Sequence, residues 1–141
     1  MKSIICLLAG VLLAGMTEAG SHSAEPKAKQ NTGANSVKNM NAAEAKTLLK
    51  ENKKVIVLDV RTPEEFAAGH IAGATNVNFR ASDFRQKLES LPKDKAYLVH
   101  CASGGRSSKA RDMMKGLNFQ QIYHLDGGIT AWEKAGNPVV K

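Results

Sequence analysis

Cysteine is scarce in this chain, which has two such residues, Cys6 and Cys101, among 141. Cys6 lies in an apolar N-terminal segment, so the rest of the chain carries one thiol and cannot form an internal disulfide. With one cysteine and four scattered histidines no metal-site spacing occurs, and we expect neither a metal nor another cofactor. The unpaired cysteine is then either a reactive thiol or a site of intermolecular pairing.

The chain also lacks an apolar run long enough to cross a bilayer, which takes roughly 20 residues. The N-terminal run from Ser3 to Met16 falls short of that length. It follows the basic start Met1-Lys2 and precedes small residues at 17 and 19, the pattern of a cleaved export signal. We therefore expect a signal peptide over residues 1–19, cleaved as late as residue 24, and a protein exported to the bacterial periplasm or secreted, without a stable membrane anchor.

Basic blocks with interleaved aromatic residues, which are typical of nucleic-acid-binding surfaces, are absent as well. The formal net charge is +7, but the basic residues are spread along the chain and aromatic residues make up only 5% of it. This balance indicates a solubilising surface that mildly favours small anions. We expect no nucleic-acid partner.

What is present is one α/β domain, predicted over residues 39–141, after a polar stretch over 20–38 that is typical of a disordered linker. Segments with strand-like apolar patterns alternate with segments of helical periodicity. The predicted strands cover 55–60, 74–79, 96–99 and 121–125, and the predicted helices start at Asn41, at Thr62, at Ser82, after the Cys101 loop and after Gly127-Gly128. This alternation predicts a parallel sheet covered by helices on both faces, with ligand sites at the carboxyl ends of its strands.

Two of the predicted helices begin with strong capping signals. Asn41 and Thr62 are each followed three residues later by a glutamate, at Glu44 and Glu65, as in a capping box. Pro63 adds a residue favoured at the first helical position.

The segment around Cys101 carries the clearest chemical pattern in the chain. A strand-like run over 96–99 leads the cysteine into a short glycine-rich turn, and a helix follows directly. Loop N–H groups and the positive end of a helix dipole favour an anion, and such surroundings lower a cysteine pKa from about 8.5 towards neutrality or below. The pattern favours a reactive thiol over a structural thiol that caps a strand.

Three segments together resemble the rhodanese (sulfurtransferase) domain. They are Leu58 to Val77 (with LDVRTPEEF and GHIAGA), the Cys101 loop, and Leu125 to Trp132 (LDGGITAW). Each segment alone is a weak signal, but in this order and spacing they are specific and cover nearly all of residues 40–135.

The resemblance implies a single-domain protein similar to small exported bacterial rhodaneses, with a five-stranded, mainly parallel sheet flanked by helices on both faces. It implies transfer of sulfane sulfur from thiosulfate or a polysulfide to cyanide, a thiol or a protein acceptor, through a persulfide on the nucleophile Cys101. Gly104 and Gly105 are expected to let the backbone curve around the sulfur without Cβ clashes. The backbone amides implied as its cradle belong to Ala102, Ser103, Gly104, Gly105, Arg106 and Ser107.

Loop length separates the chemistries within the resemblance. Related phosphatases and arsenate reductases have a Cys-x5-Arg loop, whereas Cys101 to Arg106 is Cys-x4-Arg. A tetrahedral phosphate or arsenate needs a larger ring of amides than this loop offers. The resemblance therefore favours sulfur over phosphorus or arsenic chemistry.

Three charged residues complete the predicted site. Arg106 either faces the sulfonate of a substrate or pairs with a carboxylate behind the loop. Asp59 and Arg61 are expected to form a buried or half-buried pair that supports the loop rather than to contact substrate, with Arg61 the better anion ligand of the two.

The histidines give weaker signals. His100 precedes Cys101 on a strand, so the two side chains should point to opposite faces and not form a Cys–His pair. We expect His70 to be a structural hydrogen-bonding residue in the turn before Ile71. His124 shows no functional signal in the sequence.

Two further functions remain open beside an exported sulfurtransferase. One is a sulfur carrier or persulfide-delivery module with little thiosulfate turnover of its own, which would use Cys101 in the same way. The other is a non-catalytic interaction domain, which the intact loop disfavours. We expect a monomer.

Overall fold

The computed structural model describes residues 35–141 and shows an α/β fold with a five-stranded sheet. All four strand pairings are parallel, in the order β1-β5-β4-β2-β3. The strands are β1 (Ser36–Met40), β2 (Ile56–Asp59), β3 (Thr75–Asn76), β4 (Ala96–His100) and β5 (Gln121–Leu125). The helices are α1 (Ala42–Glu51), α2 (Pro63–Ala68), α3 (Phe84–Glu89), α4 (Gly105–Gly116) and α5 (Gly128–Lys134).

The predicted signal peptide, and the predicted linker up to residue 34, lie outside the described residues. Strand β1 starts at Ser36, so the last residues assigned to the linker pair with β5 in the sheet. The sequence did not show this strand because four of its five residues are exposed and no apolar pattern marks it. In the part of the chain that the structure describes, no helix is long and apolar enough to cross a membrane.

The other predicted elements are found, with shifts at some ends. The third strand is limited to Thr75–Asn76, although Val77 and Phe79 still donate backbone hydrogen bonds to the end of β2. Helix α3 begins at Phe84 rather than near Ser82. Both predicted capping boxes, at Asn41 and Thr62, are complete.

The sheet separates two hydrophobic layers, as the prediction of helices on both faces requires. Alternate residues of each strand point to opposite layers, so Val57 and Leu98 face α1 and α5 while Leu58 and Val99 face α3 and α4. Trp132 is part of the first layer, and its indole N–H donates to the Pro138 carbonyl at 2.9 Å.

Strand β4 lies in the middle of the sheet, and its carboxyl end leads into Cys101. The ends of β2 and β5 flank it, so the loops that follow these three strands meet at one edge of the sheet. Such an edge is where parallel α/β sheets bind their ligands.

Candidate active site

Cys101 lies between the end of β4 and the start of α4, with only 1% of the residue exposed. The amide of Gly104 donates to Cys101 Sγ at 3.1 Å, and the hydroxyl of Ser107 lies 3.4 Å from the same atom. Helix α4 begins at Gly105, so the amides of its first turn have no carbonyl partner within the helix. The sulfur therefore faces backbone donors and the positive end of a three-turn helix.

The electrostatics of this turn favour the thiolate. Burial raises the pKa of Cys101, but hydrogen bonds from the hydroxyl and amide of Ser107 and from the amides of Gly104 and Ser103 outweigh it. The net result is a lowered pKa. A cysteine with this property is more nucleophilic at neutral pH than an ordinary buried thiol.

The two loop glycines differ in what the backbone demands of them. Gly104 has φ of 109°, a conformation that L residues rarely adopt, and it aims its amide at the sulfur. Gly105 is already helical, and a Cβ built on it meets nothing within 4 Å. The expectation that Gly104 and Gly105 let the backbone curve around the sulfur without Cβ clashes is therefore supported at Gly104, whereas at Gly105 a Cβ would meet no clash.

The start of α5 holds the Cys101 turn from its other side. The amides of Ile129 and Thr130 donate to the carbonyls of Cys101 and Ala102 at 2.9 and 3.1 Å. Gly128 makes this approach possible, because a Cβ there would lie 2.6 Å from the Ala102 carbonyl oxygen. The sequence indicated this Gly-Gly segment as a helix start and as part of the resemblance, but it did not place the segment against the loop.

Arg106 takes the second of its two expected roles and pairs with a carboxylate. Its two terminal nitrogens donate to the two oxygens of Glu65 at 2.8 Å each, a bidentate pair between α4 and α2. These hydrogen bonds and those from Thr62 lower the pKa of Glu65 to about 2, although burial acts in the opposite direction. Arg106 therefore ties the loop to its neighbour.

Asp59 and Arg61 form the expected buried pair, with Arg61 Nη2 2.7 Å from Asp59 Oδ2. The same nitrogen donates to the Gly69 carbonyl at 2.7 Å, so the guanidinium points into the protein. An anion-binding role for Arg61 is not supported by this orientation. The pair holds the end of β2 to the turn after α2 and makes no hydrogen bond to the Cys101 loop.

His100 is fully buried on the opposite face from Cys101, as predicted. Its Nδ1 lies 3.1 Å from the Cys101 carbonyl, and its Nε2 lies 3.7 Å from Asp59 Oδ2, too far for a hydrogen bond. Burial lowers its pKa, with the charge of Asp59 opposing. His70 has its expected structural role, with Nδ1 2.9 Å from the Phe66 carbonyl and its ring stacked on Phe66.

His124 is the residue of this site that sequence reasoning missed. It lies on β5 opposite Val99, and its Nε2 is 2.8 Å from the hydroxyl of Ser107. Its Nδ1 is 3.2 Å from Asp126 Oδ1. The sequence did hold a signal for His124 in its strand position. His124 follows Ile122 by two residues, so both side chains point to the same face of the sheet. That face is buried, and a polar residue is unusual there.

The structure thus shows an α/β domain with a five-stranded parallel sheet and, at the carboxyl edge of that sheet, a buried cysteine in a turn that favours the thiolate. A model of the rhodanese-like domain family matches residues 41–135. The chain belongs to this family, as the three motifs indicated.

Relatives named as sulfurtransferases support a sulfurtransferase of the rhodanese kind. The chain is 33% identical over 92 residues to "Sulfurtransferase" of Allochromatium vinosum, covering 65% of this chain and 84% of that protein. It is 35% identical over 85 residues to "Thiosulfate sulfurtransferase GlpE" of Pseudomonas putida, covering 60% and 74% of the two chains. It is also 34% identical over 95 residues to "Probable adenylyltransferase/sulfurtransferase MoeZ" of Mycobacterium tuberculosis. The matched region is 67% of this chain but only 24% of that protein.

Solved structures give the same family. A rhodanese-related protein from Thermoplasma volcanium is 39% identical with a TM-score of 0.64, covering 73% of this chain and 97% of that one. A rhodanese-like domain protein from Staphylococcus aureus is 34% identical with a TM-score of 0.60, covering 67% and 90%. The predicted fold class is therefore confirmed.

Proposed function

We propose that this protein moves sulfane sulfur from a small anionic donor such as thiosulfate to a thiophilic acceptor, through a persulfide on Cys101. The observation that carries the proposal is the geometry around Sγ, where the amide of Gly104 and the hydroxyl of Ser107 lie within 3.4 Å of a sulfur whose pKa is lowered. Hydrogen-bond donors fixed in place before the reaction stabilise an anion without reorganisation.

In the first half-reaction the Cys101 thiolate attacks the outer sulfur of thiosulfate. A bond forms between Sγ and that sulfur, the bond within thiosulfate breaks, and sulfite leaves with the electron pair. In the second, cyanide or a thiolate attacks the outer sulfur of the persulfide and leaves as thiocyanate or as a new persulfide, which regenerates the thiolate. Two half-reactions with a covalent intermediate predict ping-pong kinetics.

The second candidate, a sulfur carrier that delivers the persulfide to a protein partner, uses the same cysteine. One comparison favours it: in the relative named as a probable adenylyltransferase/sulfurtransferase, the region that matches this protein is only about a quarter of that relative's length. Steady-state turnover separates the candidates, because a carrier forms the persulfide but turns over slowly with thiosulfate and cyanide.

The test is the intact mass of the reduced protein after incubation with thiosulfate. The proposal requires a gain of one sulfur atom that cyanide removes, and its complete absence in Cys101→Ser, because an alcohol is hardly ionised and forms no persulfide. Ser108→Ala is the matched control on the same helix, since the Ser108 hydroxyl donates to the Gly105 carbonyl and not to the sulfur. Sulfur transfer retained by Cys101→Ser would overturn the proposal.

We also propose that the protein works outside the cytoplasm, on the strength of the signal-like pattern over residues 1–19. The test is N-terminal sequencing of the native protein from fractionated cells. A start near Gly20 or Glu25 in an extracytoplasmic fraction is expected, whereas an intact Met1 in the soluble cytoplasmic fraction would contradict the proposal.

A further inference from the structure

A continuous line of polar contacts runs from the sulfur to the protein surface. It joins Cys101 Sγ to Ser107 Oγ at 3.4 Å, Ser107 Oγ to His124 Nε2 at 2.8 Å, and His124 Nδ1 to Asp126 Oδ1 at 3.2 Å. Cys101, Ser107 and His124 are buried, whereas 59% of the Asp126 side chain is exposed. The line therefore connects a buried thiol to a carboxylate at the surface.

The single hydroxyl proton of Ser107 has three acceptors within reach. They are Cys101 Sγ, the Gly104 carbonyl at 3.2 Å and His124 Nε2. A carbonyl can only accept, but an imidazole nitrogen can either accept or donate. The protonation of His124 thus decides whether the proton of Ser107 is free for the sulfur.

The carboxylate of Asp126 determines which nitrogen carries the proton in a neutral His124 ring. It favours the proton on Nδ1, which leaves Nε2 as an acceptor that takes the hydroxyl proton of Ser107. In the protonated ring both nitrogens donate: Nδ1 to Asp126 and Nε2 to Ser107 Oγ. The hydroxyl proton of Ser107 is then available to the sulfur.

We propose that His124, held by Asp126 and acting through Ser107, takes up the proton of the Cys101 thiol and so fixes the sulfur in its anionic form. The S–H bond of Cys101 breaks as the proton passes to Ser107 Oγ, and the hydroxyl proton of Ser107 passes to His124 Nε2. Neutral thiol and neutral imidazole become thiolate and imidazolium, with no other reactant. His124 is a positioning residue, and the inference rests on the proposed function only in taking Cys101 as the reacting sulfur.

The charges that face His124 determine how it titrates. Burial and the Arg111 guanidinium of α4 lower its pKa, and the carboxylate of Asp126 opposes them. His100 on β4 is close enough for the two imidazoles to disfavour each other's protonated form, and Asn39 on β1 is uncharged and accepts from Arg111. The sulfur anion supplies the additional negative charge that stabilises an imidazolium here, so the two groups titrate as a coupled pair.

The first test is the pH dependence of Cys101 alkylation by iodoacetamide, which reports the thiolate without any sulfur donor. His124→Gln keeps a hydrogen-bonding group near Nε2 but cannot take a proton. We expect it to raise the apparent pKa of alkylation by about one unit, the lower end of the effect of an opposite charge nearby. His70→Asn, which removes an imidazole that bonds to Phe66, is the matched control and should leave the profile unchanged.

The second test uses the exposed member of the line, so it does not depend on whether a buried substitution folds. A plain charge effect predicts that Asp126→Asn lowers the apparent pKa of Cys101, because a nearby negative charge is removed. The relay predicts a rise, because His124 becomes a poorer base. Asp83→Asn on the start of α3, where the carboxylate pairs with Lys87, is the control for loss of a carboxylate elsewhere.

The third readout is the titration of the His124 ring by NMR. Since coupling between two sites is reciprocal, the pKa of His124 should be higher in the wild type than in Cys101→Ser, which has no thiolate. A downward shift in Asp126→Asn, an unchanged profile in His124→Gln, or equal His124 titration in wild type and Cys101→Ser would overturn the relay. None of these measurements uses thiosulfate, so a failure of the proposed function is seen separately, in the mass experiment.

Discussion

At the scale of single residues, the site depends on a backbone conformation that only one position of the loop requires. Gly104, with φ of 109°, turns its amide towards Sγ, whereas Gly105 begins the regular helix. The two adjacent glycines look alike in the sequence but differ in the structure. Gly104 is required for the direction of its amide, whereas the fold allows a side chain at Gly105.

The first prediction compares alanine at these two positions. Gly104→Ala should lower the free energy of unfolding by about 1–2 kcal/mol, because the side chain must adopt a disfavoured φ. Gly105→Ala should leave stability unchanged or raise it by up to about 1 kcal/mol, since alanine is the better helix residue. Urea unfolding monitored through Trp132 fluorescence measures both. Equal losses in the two variants would contradict the assignment of Gly104 as the strained position.

At the scale of elements, three pieces converge on the sulfur from different parts of the chain. Strand β4 delivers Cys101, α4 supplies the amides of its first turn, and α5 binds the carbonyls of Cys101 and Ala102. The contact with α5 depends on Gly128, which has φ of 58° and lies directly against the loop. The shape of the turn is therefore a property of packed elements as well as of the loop residues.

The second prediction tests the α5 contact with a matched glycine. Gly128→Ala and Gly136→Ala impose the same kind of positive-φ strain, but only the Cβ at residue 128 would clash with the loop. Both should lose about 1 kcal/mol from strain, and Gly128→Ala a further 1–3 kcal/mol or so from overpacking. Sulfur transfer per folded molecule should fall in Gly128→Ala alone. A similar fall in both variants would mean that docking of α5 does not shape the loop.

The third prediction concerns the length of the Cys101 loop. One glycine inserted between Ser103 and Gly104 would move the amide that now lies 3.1 Å from Sγ. Since each misplaced donor is worth roughly 3 kcal/mol of anion stabilisation, sulfur transfer should drop by one to a few orders of magnitude. The wider ring should bind phosphate or arsenate weakly, which calorimetry can detect. A wild-type protein that hydrolyses an aryl phosphate as fast as it transfers sulfur would contradict the inference from loop length.

At the scale of the whole molecule, ion pairs tie the site to the rest of the fold. The bidentate pair between Arg106 and Glu65 joins α4 to α2, and the buried pair between Asp59 and Arg61 joins β2 to the turn at Gly69. Because the pKa of Glu65 is lowered to about 2, the first of these pairs makes stability depend on pH.

The fourth prediction follows from the sign of that shift. A carboxyl whose pKa is lower in the folded state adds stability above its unfolded value of 4.5, and this is lost as the pH falls towards about 2. After allowance for solvent screening, Glu65→Gln should lower the free energy of unfolding by about 1 kcal/mol at neutral pH. The difference from wild type should vanish in acid. The exposed Glu64→Gln is the control, and a difference as large at pH 2 as at neutral pH would contradict the explanation.

Local patterns determined much of this fold. The capping boxes at Asn41 and Thr62 act within four residues, and the alternation of strand and helix segments required a parallel sheet. Cys101 and its glycine-rich turn were evident because strand, loop and helix are consecutive in the chain. Strand β1 was not evident, because its exposed residues carry no apolar pattern and pairing with β5 alone defines it.

The side chains that surround the Cys101 loop were decided by tertiary structure. Glu65 lies 41 residues from Arg106 along the chain, and His124 lies 17 residues from Ser107, so no local spacing links them. The choice of Glu65 as the partner of Arg106, the position of Gly128 against the loop, and the line from Cys101 to Asp126 all arise where separate elements meet at the carboxyl edge of the sheet. The sequence determined which residue we propose as the nucleophile, because a strand, a turn and a helix start are local structures. The packing of β5, α2 and α5 determined what surrounds it, because those contacts exist only once the sheet is assembled.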